Sequence, residues 1–270
     1  MPERITSVQN PRIKAASKLR QRRARQQQGR TIIDGIREID RALATGFPLL
    51  ELFVCDELLV GEEAEALRQR ISQDRDLNLF EITRDVCEKL SFGERAEGVI
   101  AVANYPDTML DHEKLGKRPL IVVLEGVEKP GNLGAILRTA DAVGADCLIA
   151  ADARTDIFNP NAIRASLGTI FAIPTFEATT AETLTFLRTA GATMFAARVE
   201  GAVSYEQVKF TGPTALILGS EAEGLSDRWL ADDVTNIRLP MRGIADSLNV
   251  STTAAVLLYE ANRQRANIIM

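Results

Sequence analysis

The chain is 270 residues long, 46% apolar and 26% charged, ordinary proportions for a globular protein and enough length for two domains. One histidine, His112, and three widely spaced cysteines, Cys55, Cys87 and Cys147, exclude most metal centres, Ser-His-Asp triads and Cys-His nucleophiles, and no apolar run reaches the roughly 18 to 20 residues that span a bilayer. A net charge of -5 excludes a uniformly cationic coat, yet residues 1–30 hold nine Arg or Lys against Glu3 alone, while residues 31–105 hold eight basic and sixteen acidic side chains; a polyanion contact would therefore sit on the N-terminal segment.

The opening stretch MPERITSVQNPR lacks the apolar core of a secretory signal, so a cytoplasmic protein without a membrane partner is expected. Asn10-Pro11 reads as a helix start, Asn at the cap and Pro at the first helical position. The pattern predicts one helix over RIKAASKLRQRRARQQQ, with Ile13, Ala16, Leu19 and Arg23 on one side and cations over most of the rest. Such a helix is either a solvated surface element or one that lies on phosphate, to which arginine offers planar bidentate donors. Arg12, Lys14, Arg20, Arg22 and Arg23 are the candidate contacts.

From Thr31 the pattern alternates: TIIDG, a helical IREIDRALATG closed by Gly46, a strand LLELFVC, a helix around EEAEALRQRI, then LNLFEI and GVIAVA. This predicts a small α/β domain over residues 1–104. Residues 105–118, polar and proline-bearing, read as a linker. The second domain, 119–270, opens with PLIVVLEGV, a nearly continuous apolar strand of the kind buried on both faces of a parallel sheet. NLGAILRTADAVG, CLIAA, a helix from Asn159-Pro160, IPTFEA, ETLTFLRTAG, TMFAARV and ALILGS follow. IRLPM, stopped by its proline, predicts a buried strand, and VSTTAAVLLYEANRQR a closing helix with Val250, Ala254, Leu257 or Leu258 and Ala261 at helical spacing. Strands alternating with helices imply a parallel, helix-covered sheet with ligands beyond the strands' carboxyl ends. The loops that fall there are EKPGNLG, SEAEGLSD and RGIADSLN.

The first of these invites nucleotide-loop readings and fails them: Asn132 and Leu133 follow the second glycine where a P-loop needs Lys then Ser or Thr, and the G-x-G-x-x-G spacing is absent. Taken alone, Asn132 suits a helix cap, Arg138 an i,i+3 pair with Asp141, and Ser247 and Asn249 helix-start positions. Glu221 suits a strand-to-helix turn, and Gly219 would let a ligand approach the backbone closely.

Together the three stretches are specific. EGVEKPGNLGAILRTADAVG (125–144), LGSEAEGL (218–225) and LPMRGIADSLNVS (239–251) resemble the three signature motifs of the SpoU (TrmH-type) RNA 2'-O-ribose methyltransferases of the SPOUT superfamily, in the family's order. RITSVQNPRIKAASKLRQRR and IIDGIREIDRAL are similar to the start of the RNA-binding domain that many members carry. The resemblance implies an α/β catalytic domain with a parallel sheet and a deep trefoil knot, a homodimer, S-adenosylmethionine as cofactor and no metal. It places cofactor contacts on Gly219, Leu239 and Leu248, with Met241 beside them, and catalysis on Arg138, assisted by Asn132, Glu221, Ser247 and Asn249. Two roles stay open for Arg138: proton acceptor, although arginine normally stays protonated, or a phosphate clamp that aligns the hydroxyl. Ribosomal RNA is the preferred substrate over transfer RNA; a non-catalytic RNA-binding or assembly factor of the same fold is the rival reading.

Overall fold

A computed structural model describes residues 2–74, 77–92, 96–199 and 203–266. The chain divides into two compact units: one takes the residues up to Asp107 together with Phe158–Ala172, the other Thr108–Ile157 and the residues from Ile173 on.

The first unit runs β1 (Glu3–Ile5), α1 (Pro11–Lys18), α2 (Arg22–Gln28), β2 (Arg30–Asp34), α3 (Ile36–Ala44), β3 (Leu49–Val54), α4 (Glu62–Gln73), β4 (Asn78–Ile82), α5 (Arg84–Leu90) and β5 (Val99–Asn104). Its sheet has the order β1-β4-β3-β5-β2, with β1 and β3 parallel to β4 and β5 antiparallel to both of its neighbours. Asn10 caps α1 as expected, accepting from the Arg12 amide at 2.8 Å.

The single basic helix expected from the sequence is two helices. Gln21 is extended (φ -93, ψ 131), which ends the first helix and starts the second. The break leaves the Leu19 carbonyl without a helical donor, and Arg25 supplies one: its Nη1 donates to Leu19 O at 2.7 Å from a side chain that is fully buried. Arg25 therefore turns inward and Arg23 outward, the reverse of the expected face. Ile13, Ala16 and Leu19 are buried as expected. Each large apolar side chain removed from water contributes about 1.5–3 kcal/mol, against a few tenths for an exposed ion pair on a helix; the apolar face decides how α1 docks.

The second unit contains β6 (Leu120–Glu125), α6 (Pro130–Ala142), β7 (Cys147–Ala151), β8 (Thr175–Ala178), α8 (Thr180–Thr189), β9 (Thr193–Ala197), β10 (Val203–Ser204), β11 (Thr214–Leu218), β12 (Val234–Arg238) and α9 (Val250–Ala266), while a short helix, α7 (Pro160–Ala165), lies in the stretch that groups with the first unit. Seven strands in the order β10-β12-β9-β11-β6-β7-β8 pair entirely in parallel. Every residue of β6, β7 and β11 is buried, which is why those stretches read as continuous apolar runs. Because the strands are parallel, the loops after β6, β11 and β12 leave the same edge of the sheet. Leu110 and Leu115, from the polar stretch before β6, pack against this unit's core, and His112 stacks on Phe186 with ring centroids 3.9 Å apart.

Arg265, near the end of α9, donates to four carbonyls: Phe210 at 2.9 Å, Gly212 at 2.6 Å, Arg118 at 2.8 Å and Pro119 at 3.1 Å. It ties the last helix to the segments that lead into β6 and β11.

All three cysteines are buried and free. Burial pushes the Cys87 thiol up to about 11 and the Cys147 thiol up to about 12. The thiolate is the reactive form, so a water-soluble aromatic disulfide reagent at pH 8 is expected to leave the folded protein unlabelled and to titrate three thiols in denaturant; rapid labelling of the native protein would contradict the packing described.

Candidate active site

β6 ends in Glu125, and the chain turns at Gly126 (φ +64) before α6 starts at Pro130. The helix is capped one turn earlier than the sequence suggested: Lys129 is the cap residue, and Asn132 lies in the first turn with its side chain free for other use. After β11 a tight turn is closed by paired backbone bonds between Ser220 and Gly224, whose φ of +67 suits glycine. After β12 an irregular loop spans 239–249, and Asn249 starts α9: its Oδ1 accepts from the Ser251 amide at 2.9 Å, and its carbonyl from the Thr253 amide at 2.9 Å.

Glu221 joins the three loops. Its carboxylate accepts from Asn132 Nδ2 at 2.9 Å, from Asn249 Nδ2 and from Lys129 Nζ. Asn249 Nδ2 also reaches Asn132 Oδ1 at 3.4 Å. Two further carboxylates brace the arrangement. Glu125, buried, accepts from Thr180 Oγ1 at 2.8 Å and from the Ser226 amide and hydroxyl at 2.7 Å each, fixing the far side of the β11 loop. Glu128 and Glu223 both pair with Arg154, which follows β7.

The Lys129 ammonium, and after it the Asn132 amide, hold the Glu221 carboxyl below the ordinary glutamate value. A depressed carboxylate contributes its stabilisation above the unfolded value and loses it as pH falls through the folded one. The link between the loops should therefore persist at neutral pH and fail only in acid. In an NMR titration the Glu221 side chain is expected to titrate below ordinary glutamates and to shift upward in Lys129→Ala; an unchanged midpoint in that variant would remove the ion pair from this account.

Beside the network lies a cavity of about 650 Å³ between the β11 turn and the β12 loop, within the about 300–1,000 Å³ range of small-molecule sites. Gly219, Leu239, Met241 and Leu248, the four expected cofactor contacts, all line it, as do Glu221, Ser247 and Asn249. Asn132 lines a smaller adjoining cleft of about 70 Å³ that shares Gly219 and Glu221 with the larger one. Arg138 stands apart on the third turn of α6, exposed, lining neither cavity and making no hydrogen bond or ion pair among the described residues; the pairing with Asp141 does not form. Gly219 packs so closely that an added Cβ would lie 2.1 Å from the Gly224 carbonyl carbon.

Sequence reasoning passed over Lys129 and Arg154. Lys129 stood in plain view, two positions before Gly131 in a loop already singled out; Arg154 lies outside all three motifs, and only the β11-β6-β7 strand order brings it between Glu128 and Glu223.

Of the expected RNA contacts, Arg12 and Arg20 are held by their own unit. Arg12 pairs with Glu51 and lies 4.3 Å above the Phe80 ring centroid. Arg20 Nη2 donates to the carbonyls of Lys89, at 2.7 Å, and Ser91. Lys14, Arg22 and Arg23 are exposed. Among the described residues no group of acidic, His or Cys side chains could hold a metal ion, and no helix is long and apolar enough to cross a membrane.

A helix-covered parallel sheet with three loops gathered at its carboxyl edge, around a cavity of cofactor size, defines an α/β domain built to bind a small molecule at that edge, preceded by a smaller α/β unit. The chain belongs to the SpoU rRNA Methylase family, whose model matches residues 119–259, and an MRM3-like substrate binding domain matches residues 10–101. It is 30% identical over 250 residues, 90% of this chain and 86% of the relative, to the 23S rRNA (uridine(2479)-2'-O)-methyltransferase of Streptomyces viridochromogenes. It is 26% identical, over 95% of this chain and 98% of the relative, to the 23S rRNA (guanosine(2553)-2'-O)-methyltransferase RlmP of Bacillus subtilis. Among solved structures it is similar to an RNA 2'-O ribose methyltransferase (TM-score 0.83, 39% identity, 97% of this chain and 99% of the other). It is also similar to the SpoU methyltransferase AviRb from Streptomyces viridochromogenes in complex with AdoMet (TM-score 0.84, 29% identity, 96% and 99%).

Proposed function

We propose that this protein transfers a methyl group from S-adenosylmethionine to a ribose 2'-hydroxyl of ribosomal RNA. The observation that carries the reading is Glu221, which binds Asn132 and Asn249 at once and so draws three loops, remote in sequence, around one cavity. The residues present fit the cofactor. Leu239, Met241 and Leu248 offer apolar surface to a nucleoside, and the irregular 239–249 backbone supplies donors and acceptors for its edge. The bound cofactor supplies an electrophilic methyl on a sulfonium centre.

The chain's own task is alignment, because methyl displacement needs an oxygen in line with the departing sulfur, while the hydroxyl's proton passes to water. Glu221, Asn132 and Asn249 hold the loops in register, and Ser247 supplies a hydroxyl at the same rim. Arg138 clamps RNA phosphate and steers the hydroxyl: a guanidinium keeps its proton and matches phosphate with paired donors. Its lack of a partner among the described residues and its absence from the lining of both cavities support a homodimer in which a second copy completes the site. The loop that would meet that copy carries Ile244 fully exposed, with Met241 and Leu248 more than a third exposed. The passage from β12 past two strands, to the helix α9 that packs on α6, supports a knotted C-terminal segment. The N-terminal unit, with Lys14, Arg22 and Arg23 exposed, supports RNA contact, and the enzyme would meet ribosomal RNA in the cytoplasm.

The test is methyl transfer from tritiated S-adenosylmethionine to ribosomal and transfer RNA, with 2'-O-methylation mapped in cells with and without the protein. Label in ribosomal RNA at one ribose, absent in the deletion strain, is the expected result; no label in either RNA rejects the reading.

A further inference from the structure

The first unit contains a second cavity, of about 280 Å³, that the methyl-transfer site does not use. Leu19 and Val102 form its apolar wall, and Arg12, Gln28, Arg30 and Glu51 its polar one. Its volume is below that of a drug-sized ligand site, so it has room for a single base and its sugar.

Three features fix what it would accept. The Arg12 guanidinium is already immobilised, lying over the Phe80 ring and paired with Glu51, while its side chain remains 40% exposed and lines the cavity. A held guanidinium plane is a stacking platform for an unpaired base. The Glu51 side chain is only 12% exposed and uses Oε1 for Arg12; Oε2 has no hydrogen-bond partner among the described residues. An ionised carboxylate is acceptor-only, so the base edge that meets it must present donors. Arg30, at the start of β2, likewise makes no side-chain hydrogen bond or ion pair among the described residues, which leaves its charge available to the backbone of the same nucleotide.

We infer that this cavity holds one unpaired guanine of the RNA, stacked on Arg12 with its N1–H and N2 amine on Glu51 and its phosphate on Arg30. Guanine alone among the four bases offers two adjacent donors on its Watson–Crick edge; adenine and cytosine pair one amine with an acceptor, and uracil has a single donor between two carbonyls. The inference rests on RNA being the substrate and adds a specificity determinant that lies outside the catalytic unit.

The test uses the full-length protein and fluorescein-labelled octauridylate, or the same octamer with one central guanosine, inosine or adenosine, read by fluorescence anisotropy. The guanosine octamer is expected to bind about tenfold tighter than octauridylate, as a good paired base contact predicts, with inosine, which lacks the N2 amine, between them. Glu51→Gln should bring the four octamers to within about twofold of one another, whereas Arg30→Ala should weaken all four by a similar factor; thermal melts by circular dichroism check that both variants stay folded. Equal binding of all octamers by the unaltered protein, or a guanosine preference that survives Glu51→Gln, would overturn the inference. Either result would leave methyl transfer to ribosomal RNA untouched, since that is read in its own assay.

Discussion

Arg138→Ala is expected to reduce methyl transfer by at least about 100-fold in kcat, the scale on which losing one positioned group that acts on the transition state is felt. The fold should be unaffected. Arg138 is exposed and makes no hydrogen bond or ion pair among the described residues, so its removal leaves no buried group unsatisfied. Cofactor affinity should also hold within about twofold, because the side chain does not line the cavity. The measurement is kcat against KM for RNA, with calorimetric titration of S-adenosylmethionine alongside. Arg138→Lys keeps the charge but loses the planar paired donors, and should recover only part of the rate. Full activity in Arg138→Ala would remove the arginine from the mechanism.

Gly219→Ala should disable the protein by a different route. The added Cβ would lie 2.1 Å from the Gly224 carbonyl carbon, 2.3 Å from its oxygen and 2.5 Å from the Leu225 nitrogen. All three are backbone atoms, so no side-chain rotation can relieve the clash, and the Ser220–Gly224 turn must open. That turn carries Glu221, and its movement pulls the carboxylate from Asn132 and Asn249 and reshapes the cavity wall. Cofactor affinity is expected to fall by more than about tenfold, or about 1.4 kcal/mol, with the Glu221 titration moving up toward an ordinary glutamate. Unchanged cofactor binding would mean that the turn tolerates a methyl group and that the close packing is not what shapes the site. The two variants separate cleanly: one fails in turnover with binding intact, the other in binding.

The second unit was legible because its strands are buried on both faces and alternate with capped helices. PLIVVLEGV, CLIAA and ALILGS could hardly be anything else, and Asn159-Pro160 and Gly144 mark helix ends by backbone chemistry alone. The parallel pattern put the three loops at one edge of the sheet, but the meeting of Asn132, Glu221 and Asn249 was legible only through the resemblance, since no spacing rule places residue 132 beside 221 and 249. What could not be read depended on tertiary partners. The break between α1 and α2 has no glycine or proline to announce it, and the Leu19 carbonyl it leaves is taken up by a buried Arg25. The antiparallel course of β5, between β3 and β2, and the pairing of β1, three residues long, follow from strand partners remote in sequence. Asn132 looked like a helix cap because its residue type suits one, but Pro130 sets the helix start and leaves the amide for Glu221.

The four carbonyls gathered by Arg265 impose an order on biosynthesis. Arg118 and Pro119 leave the ribosome 147 and 146 positions ahead of the guanidinium that will bind them. Until it emerges, the segments entering β6 and β11 lack these four donors, so this clamp can close only after both of the strands it ties have been made.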